Sequence, residues 1–380
     1  FYKGDIMPRK SKADKAGKLS LKDMQKLINK RAGMAVAYDL NEDNPTIVKE
    51  WIPTGSRVLD SIICRGQLAG LPAGKIVEIA GLQATGKSYM AAQCAANAQK
   101  MGFDVIYFDS ESAIDPEFLK NAGCNLDTLL YVQASSVEFV LETIEDLLAN
   151  NENKMLFIWD SLALTPSNSD VEGDFNPLSS MAVKPRILSK GLSKLTVPIA
   201  NSGSVMLVLN QLKTNITMNV AEALTTPYFT PGGKALAYAY SLRIWLTKRK
   251  AKNAFITNDA GFRIGSEVKV KLEKSRFGTE GRMCQFQIIW GEAQPRILDK
   301  ESWFDAVKIS DQLKSGGPWW TLTFDDGTQK KFQGGAWLEM LEDKKFYDQI
   351  IKIMDRELIQ KFDEQTGDAS AYYESKEDED

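Results

Sequence analysis

One octet, at residues 81–88, constrains the fold of this chain more than any other feature. It matches G-x-x-x-x-G-K-[ST], the phosphate-binding P-loop. Residues 75–80 before it are typical of a buried strand and residues 89–98 after it of a helix, which gives the strand–loop–helix context that the motif requires. A fortuitous glycine-rich turn is the alternative. The residues expected at a bound nucleotide are Gly81, Leu82, Gln83, Ala84, Thr85, Gly86, Lys87, Ser88 and Tyr89.

Each part of the octet has a physical task. The glycines let the backbone turn tightly and point N–H groups at phosphate oxygens. The following helix adds the positive end of its dipole. We expect Lys87 to reach the β- and γ-phosphates and Ser88 to hold Mg²⁺. The sequence therefore predicts a site for a nucleotide and Mg²⁺ in an α/β fold.

The overall composition is that of an ordinary globular protein. The 380 residues are 43% hydrophobic and 26% charged, a length typical of about two or three domains. There is no histidine, and the four cysteines form no C-x-x-C pair, so a zinc site is not expected. We expect the cysteines to be free thiols in a reducing cytoplasm. No apolar run approaches the roughly 18 residues of a membrane span, and no secretory signal is evident. We expect a cytoplasmic protein without a membrane partner. Residues 1–6 precede Met7 and are left out of fold reasoning.

Charge is concentrated at the two ends of the chain. Residues 1–33 carry ten Lys/Arg against three Asp, and residues 363–380 carry eight Asp/Glu against one lysine. We interpret 1–18 as a basic tail and 363–380 as an acidic tail. Such blocks are either solvated ends or a regulatory pair in which the acidic tail competes with nucleic acid for basic surface.

Hydrophobic periodicity predicts a mostly parallel sheet covered by helices on both faces. A capped helix at 19–33 and a linker to 46 come first, and the helix docks either on its own core or on a neighbouring subunit. The core spans 47–294 and includes a helix at 137–148 capped by Ser135. Its later strands alternate in polarity and suggest an antiparallel edge. The expected strands are 76–80, 104–109, 129–133, 155–160, 205–210, 241–247, 267–273 and 284–290.

A small α+β domain is expected at 295–362. Helices are predicted over 299–314 and 336–361. Between them, residues 318–327 resemble a hairpin with an Asp-Gly turn.

Polar residues end three of the predicted strands. Asp160 follows an apolar strand, as in the Walker B pattern that holds Mg²⁺. Glu111 follows another strand, where a carboxylate can orient and deprotonate water; a helix cap is the alternative. Gln211 ends a third strand and could bond the γ-phosphate, because an amide both donates and accepts.

Two long segments combine basic, amide and aromatic residues, which suits single-stranded nucleic acid. The first, 167–186, contains Asn168, Asn176, Lys184 and Arg186. The second, 212–230, contains Lys213, Asn215, Tyr228 and Phe229.

At this point the sequence resembles the RecA recombinase family, and it is also similar to the UvsX recombinases of bacteriophages. The resemblance covers residues 20 to 360 approximately. It rests on the P-loop and on 53–60 (PTGSRVLD), 70–79 (GLPAGKIVEI), 109–116 (DSESAIDP), 210–211 (NQ), 231–236 (PGGKAL) and 265–267 (GSE).

The resemblance implies roles for individual residues. Glu111 matches the water-activating glutamate and Gln211 the γ-phosphate sensor. Asp115 and Phe118 match positions at the adenine. Residues 167–186 and 212–230, with the adjoining Gly232 and Gly233, match the two DNA-binding loops. Lys274 and Arg276 match cations that reach the ATP of the adjacent subunit. The family usually has lysine at the second position, and Arg makes a planar, bidentate contact instead. Pro177 and Pro185 also depart from the first loop's pattern.

The implied protein is an ATP-dependent DNA strand-exchange protein. It forms a helical filament on single-stranded DNA, pairs it with duplex DNA, and works with single-strand-binding and mediator proteins. Its N-terminal helix and a strand near 47–51 would dock on the neighbour. Two other classes stay open: a RecA-fold ring helicase or signalling ATPase, and a non-catalytic, ATP-gated DNA-binding filament.

Overall fold

The computed structural model describes residues 19–33, 35–42, 44–173, 183–216, 227–248, 254–290 and 295–360. Contacts along the chain separate two compact units, with the boundary after Ile47. Asn176 and the two charged tails lie outside the described residues. Within the described part of the chain, no helix combines the length and the apolar character that a membrane crossing needs.

The helices have the following bounds: α1 Leu21–Ala32, α2 Arg57–Ile63, α3 Lys87–Lys100, α4 Pro116–Asn121, α5 Val137–Asn150, α6 Asn168–Glu172, α7 Val183–Ser202, α8 Lys234–Ala239, α9 Asp299–Val307, α10 Trp337–Met340 and α11 Lys344–Glu357. The strands are β1 Trp51–Ile52, β2 Leu71–Pro72, β3 Ile76–Gly81, β4 Asp104–Asp109, β5 Leu129–Gln133, β6 Met155–Asp160, β7 Val205–Gln211, β8 Lys213–Thr214, β9 Tyr228–Phe229, β10 Leu242–Lys248, β11 Phe255–Thr257, β12 Arg263–Ser275, β13 Met283–Ile289, β14 Arg296–Leu298, β15 Leu313–Gly316, β16 Trp319–Thr323 and β17 Gln329–Gln333.

The first unit contains the predicted N-terminal helix, α1. Ser20 Oγ accepts a hydrogen bond from the Asp23 N–H at 3.2 Å, and Gly33 ends the helix at φ 70°. The Asn29 side chain accepts from the backbone N–H groups of Val36 and Ala37, which fixes the return of the chain. The apolar side chains of α1 are exposed, with none buried. They are therefore accessible for packing against another surface.

The second unit is built on one large sheet, as predicted. Its strand order is β14-β13-β12-β10-β3-β7-β6-β4-β5, with β11 added to β12. The strands from β10 to β5 pair in parallel, whereas β10, β12, β13 and β14 pair in antiparallel fashion. Strands β3, β6 and β7 are buried on both faces, since helices cover each side of the sheet.

Small and branched apolar residues fix how the helices cover this sheet. Helix α3 packs its alanines against one face, where short side chains allow close approach. Helices α5 and α7 cover the other face. The predicted cap at Ser135 was wrong by one residue. The N-cap is Ser136, whose backbone is extended and whose Oγ accepts from the Phe139 N–H at 3.1 Å.

The C-terminal segment forms an α+β arrangement around its own aromatic-rich cluster, which also includes Val58 of α2. The helix predicted over 299–314 was wrong in its second half: α9 ends at Val307, and β15 follows because Leu313 pairs with Leu322 of β16. The helix predicted over 336–361 is two helices, α10 and α11. The predicted hairpin is confirmed as β16–β17, with Gly327 at φ 81° in the turn. The domain boundary at residue 295 stays a prediction, as do the boundaries at 18, 46 and 362.

The strand expected near 47–51 is the short β1, which pairs with β2 of the same chain. All four cysteines are free thiols, and three of them are buried.

Candidate functional site

A cavity of about 750 Å³ lies at the carboxyl ends of β3, β4, β6 and β7. Ligands of parallel sheets bind at this edge. The lining brings together residues that are far apart in sequence: Gly81, Gln83, Ala84, Lys87, Ser88, Asp109, Glu111, Ala113, Ile114, Asp115, Phe118, Asp160, Ser161, Gln211 and Leu212. Among the other predicted nucleotide contacts, Leu82, Thr85, Gly86 and Tyr89 lie in the same loop and helix but do not line the cavity.

The loop between β3 and α3 is held by its own contacts. Ala84 and Gly86 have φ of 55° and 82°, in the left-handed region. A Cβ built on Gly86 would meet Ile288 Cδ1 at 2.3 Å, a side-chain end that can move away, so it is the left-handed φ that favours glycine at this position. Thr85 Oγ1 donates to the Leu82 carbonyl at 2.8 Å. The turn is thus formed within the chain, with α3 starting directly after it.

Lys87 is the first residue of α3 and points back over the loop. Its Nζ donates to the carbonyls of Gly81 and Leu82, both at 3.2 Å. Burial lowers the pKa of Lys87, while the carboxylates of Asp160 and Glu111 act in the opposite direction. A desolvated ammonium beside a cavity is a strong partner for phosphate oxygens.

Ser88 and Asp160 meet across the base of the cavity. Ser88 Oγ donates to Asp160 Oδ2 at 2.8 Å, and Tyr107 OH donates to the same oxygen at 2.9 Å. Burial raises the pKa of Asp160, and these two hydrogen bonds lower it. Among the described residues no three Asp, Glu, Cys or His side chains gather as a metal cluster. A hydroxyl and one carboxylate suit Mg²⁺, which keeps waters and takes phosphate oxygens as further ligands.

Glu111 lies at the same edge, after β4. Its Oε1 accepts a hydrogen bond from Ser161 Oγ at 3.2 Å. Asp109 fixes the backbone around it by accepting from the N–H groups of Glu111 at 2.8 Å, Ala113 at 2.9 Å and Ile114 at 3.1 Å. The Glu111 carboxylate is therefore held on a defined turn at the wall of the cavity.

Sequence reasoning missed the residues that support these groups, namely Tyr107, Asp109 and Ser161. One signal was present: Asp109 stands two residues before Glu111, where a short carboxylate commonly bonds the backbone of a turn. Tyr107 in an otherwise apolar strand was a second signal, because a buried tyrosine hydroxyl needs a partner.

Asp115 and Phe118 line one wall of the cavity. Asp115 caps α4 by accepting from the Glu117 N–H at 2.9 Å. The Phe118 ring meets the Tyr89 ring edge-on, with centroids 6.1 Å apart. This wall offers an aromatic surface next to a carboxylate.

Gln211 lies where β7 ends, opposite Gly81 in the sheet register. Its N–H donates to Asn210 Oδ1 at 2.9 Å. The second predicted DNA loop follows directly, and its first residue, Leu212, still lines the cavity.

The base of that second loop is a short antiparallel ladder. Lys213 pairs with Phe229 and Thr214 with Tyr228, and the Asn215 N–H donates to the Pro227 carbonyl at 2.9 Å. The Phe229 side chain is 46% exposed. Residues 217–226 lie outside the described residues. The loop then ends at Gly232 and Gly233, with φ of 107° and 87°, directly before α8.

The first predicted loop contains more helix than expected. Asn168 begins α6, and its N–H donates to Glu138 Oε2 at 3.0 Å. Lys184 and Arg186 lie in the first turn of α7. Lys184 Nζ donates to the Ala163 carbonyl at 3.0 Å, and burial lowers its pKa. Arg186 is exposed. The Asn168 backbone and the Lys184 side chain are thus held by contacts with α5 and with Ala163.

Lys274 and Arg276 lie at the end of β12, and neither lines the cavity of its own chain. Lys274 Nζ donates to the Ala237 carbonyl at 2.6 Å, and an Arg276 guanidinium nitrogen donates to the Tyr238 carbonyl at 3.0 Å. Both carbonyls belong to the last turn of α8, where cations interact favourably with the helix dipole.

Comparisons with known proteins place the chain in a family. Residues 18–294 match the family model described as the RecA N-terminal domain. Protein RecA of Nocardia farcinica is 30% identical over 347 residues, which cover 91% of this chain and 93% of that protein. Protein RecA of Fusobacterium nucleatum is 31% identical, covering 89% and 85%, and that of Caldanaerobacter subterraneus is 30% identical, covering 81% and 83%. These matches do not favour a ring helicase or a signalling ATPase. The chain belongs to the RecA family of DNA recombinases.

Proposed function

We propose that this protein hydrolyses ATP with Mg²⁺ to drive strand exchange between DNA molecules. One observation carries the proposal: a single cavity brings together the P-loop lysine, the Ser88–Asp160 oxygen pair, Glu111 and Gln211. These are the groups that phosphoryl transfer to water needs, since the reaction depends on positioning and on stabilising charge.

Each group has one task. Lys87 binds phosphate oxygens, and Ser88 and Asp160 hold Mg²⁺, which when bound would neutralise phosphate charge. Glu111 orients the attacking water and accepts its proton, held for this by Ser161 and by the turn around Asp109. Gln211 bonds the γ-phosphate. The wall formed by Asp115 and Phe118 takes the adenine.

The DNA-binding surface consists of the two loop segments, 167–186 and 212–230, together with the adjoining helices α6, α7 and α8. Exposed Lys213 and Phe229, paired across the ladder, offer a cation for phosphate and a ring for a base. Arg186 adds a second exposed cation, on α7. Contacts of this kind are sequence-tolerant, as strand exchange between arbitrary sequences requires.

Adjacent subunits would complete the site. Lys274 and Arg276 do not line their own cavity, which leaves them available to the ATP of a neighbour. The exposed apolar face of α1 is the surface proposed to dock on that neighbour. A head-to-tail contact that does not close produces a helical filament. Single-strand-binding and mediator proteins are the further partners proposed, and a bacterial or phage-infected cytoplasm is the proposed compartment.

The deciding experiment images the protein on single-stranded DNA with a slowly hydrolysed ATP analogue and, in parallel, measures strand exchange. A continuous helical filament and exchange of homologous strands support the proposal. Closed rings would instead indicate a helicase. Filaments that form but never hydrolyse ATP would indicate a non-catalytic DNA-binding protein.

A further inference from the structure

A buried carboxylate outside the cavity joins the nucleotide site to the second DNA loop. Glu78 lies in the middle of β3 and is fully buried. The sheet register places it beside Val208 of β7 and Arg243 of β10. Arg243 Nε donates to Glu78 Oε2 at 2.6 Å, and Asn210 Nδ2 donates to Glu78 Oε1 at 3.0 Å. Glu78 therefore connects three adjacent strands.

Both partners of Glu78 continue to the end of the second loop. Asn210 Nδ2 also donates to the Pro231 carbonyl at 3.1 Å, and Arg243 donates to Thr230 Oγ1 at 2.9 Å. Asn210 in addition accepts from the N–H of its neighbour Gln211. Asn210, which precedes the 212–230 segment, and residues 230 and 231 at its end are thus linked through the partners of one carboxylate.

Stability alone does not account for this network. Burying two charges is expensive, and apolar replacements of a buried ion pair are often neutral or stabilising. Burial raises the pKa of Glu78, while Arg243 and Asn210 lower it. Such a network, once all its members are paired, holds its parts in a unique arrangement.

We propose that Glu78 and Arg243 are positioning residues that transmit DNA binding at the second loop to Gln211 and the nucleotide cavity. The inference rests on the proposed function. When DNA moves residues 230 and 231, the displacement reaches Asn210 and Arg243 directly and Gln211 through one further hydrogen bond. Neither Glu78 nor Arg243 lines the nucleotide cavity, so their loss should reduce the DNA response of the ATPase without removing nucleotide binding.

The test compares Glu78→Gln and Thr230→Val in the full-length protein. Glu78→Gln keeps the shape and removes the charge that orients Arg243. Thr230→Val removes only the acceptor at the loop end, at a partly exposed site where a folding defect is not expected. The control is Asp60→Asn, another buried carboxylate, bonded to Thr54 Oγ1 at 2.7 Å and absent from the cavity lining. Each protein is measured for melting temperature, fluorescent ATP-analogue affinity, and ATP turnover with and without single-stranded DNA.

We expect the DNA stimulation ratio to fall at least about fivefold in Glu78→Gln, the lower end of typical coupling between sites. Thr230→Val should show a smaller fall in the same direction, and Asp60→Asn an unchanged ratio, with nucleotide affinity preserved in all three. An unchanged ratio in folded Glu78→Gln and Thr230→Val overturns the inference. Parallel losses of basal and stimulated turnover overturn it as well, since that is the result of a purely structural role. A parental protein whose ATPase ignores DNA would refute the proposed function itself.

Discussion

Replacing Lys87 with alanine should lower ATP turnover strongly without lowering the stability of the fold. The ammonium is desolvated at the cavity and bonded only to the carbonyls of Gly81 and Leu82. Burial lowers its pKa, so the folded state disfavours its charge, and removing that charge should not destabilise the protein. We expect the melting temperature of Lys87→Ala without nucleotide to equal or exceed the parental value.

The expected loss of turnover follows from the same burial. Two unit charges about 4 Å apart interact by about 4 kcal/mol at an effective dielectric constant of about 20. Water that enters the vacated space recovers part of this, so the net loss should be at least about 2.7 kcal/mol, or about a hundredfold in turnover.

The assay measures ATP turnover at saturating ATP and single-stranded DNA beside a thermal melt of the same sample. Lys87→Arg is the matched control, since it keeps the charge and changes the geometry. A folded Lys87→Ala protein with near-parental turnover would refute the assignment of Lys87 to the phosphates. A large fall in melting temperature would refute the stability argument.

Three further predictions concern other parts of the molecule. Glu111→Gln should bind ATP and DNA but turn over slowly, because the shape remains and the base is lost; turnover at the parental rate would contradict this. The Lys274→Ala, Arg276→Ala double variant should bind ATP, lose DNA-stimulated hydrolysis, and recover some activity when mixed with Lys87→Ala protein; no recovery in confirmed mixed filaments would exclude a contribution in trans. Asp60→Asn should flatten the pH dependence of stability. Burial raises the pKa of Asp60 to about 8, so the folded state keeps a proton that the unfolded chain releases above about pH 4. Parental stability should therefore fall as pH rises from about 4 towards 8, by at most about 1.4 kcal/mol per pH unit, and equal slopes in urea titrations of both proteins would contradict this.

Local patterns predicted the sheet and most of the cavity because their causes are local. Short runs such as 155–160 are apolar on both faces, as in a strand that is covered on both sides, and the P-loop is set by its own glycines. The prediction over 308–314 was wrong because the secondary structure there depends on a residue that is distant in sequence. Residues 308–314 are compatible with a helix in spacing, but Leu313 becomes buried by pairing with Leu322. Ser135 and Ser136 are the same residue type, so the sequence does not distinguish them as N-cap candidates. The backbone conformation at the start of α5 makes Ser136 the N-cap.

The polar network at Glu78 shows the same limit inside the functional region. In the sequence, Glu78 is a charged residue interrupting an apolar strand, with nothing to name its partner. Arg243 lies 165 positions later, and the parallel alignment of β3 with β10 brings the two together. A P-loop can be recognised from a few adjacent residues because the group that its backbone binds is always a phosphate. The coupling that we propose between that loop and the DNA surface depends on strand order, which no short motif encodes. Residues that couple DNA binding to ATP hydrolysis should therefore be sought among buried charged side chains that join neighbouring strands, rather than among the residues that line the cavity.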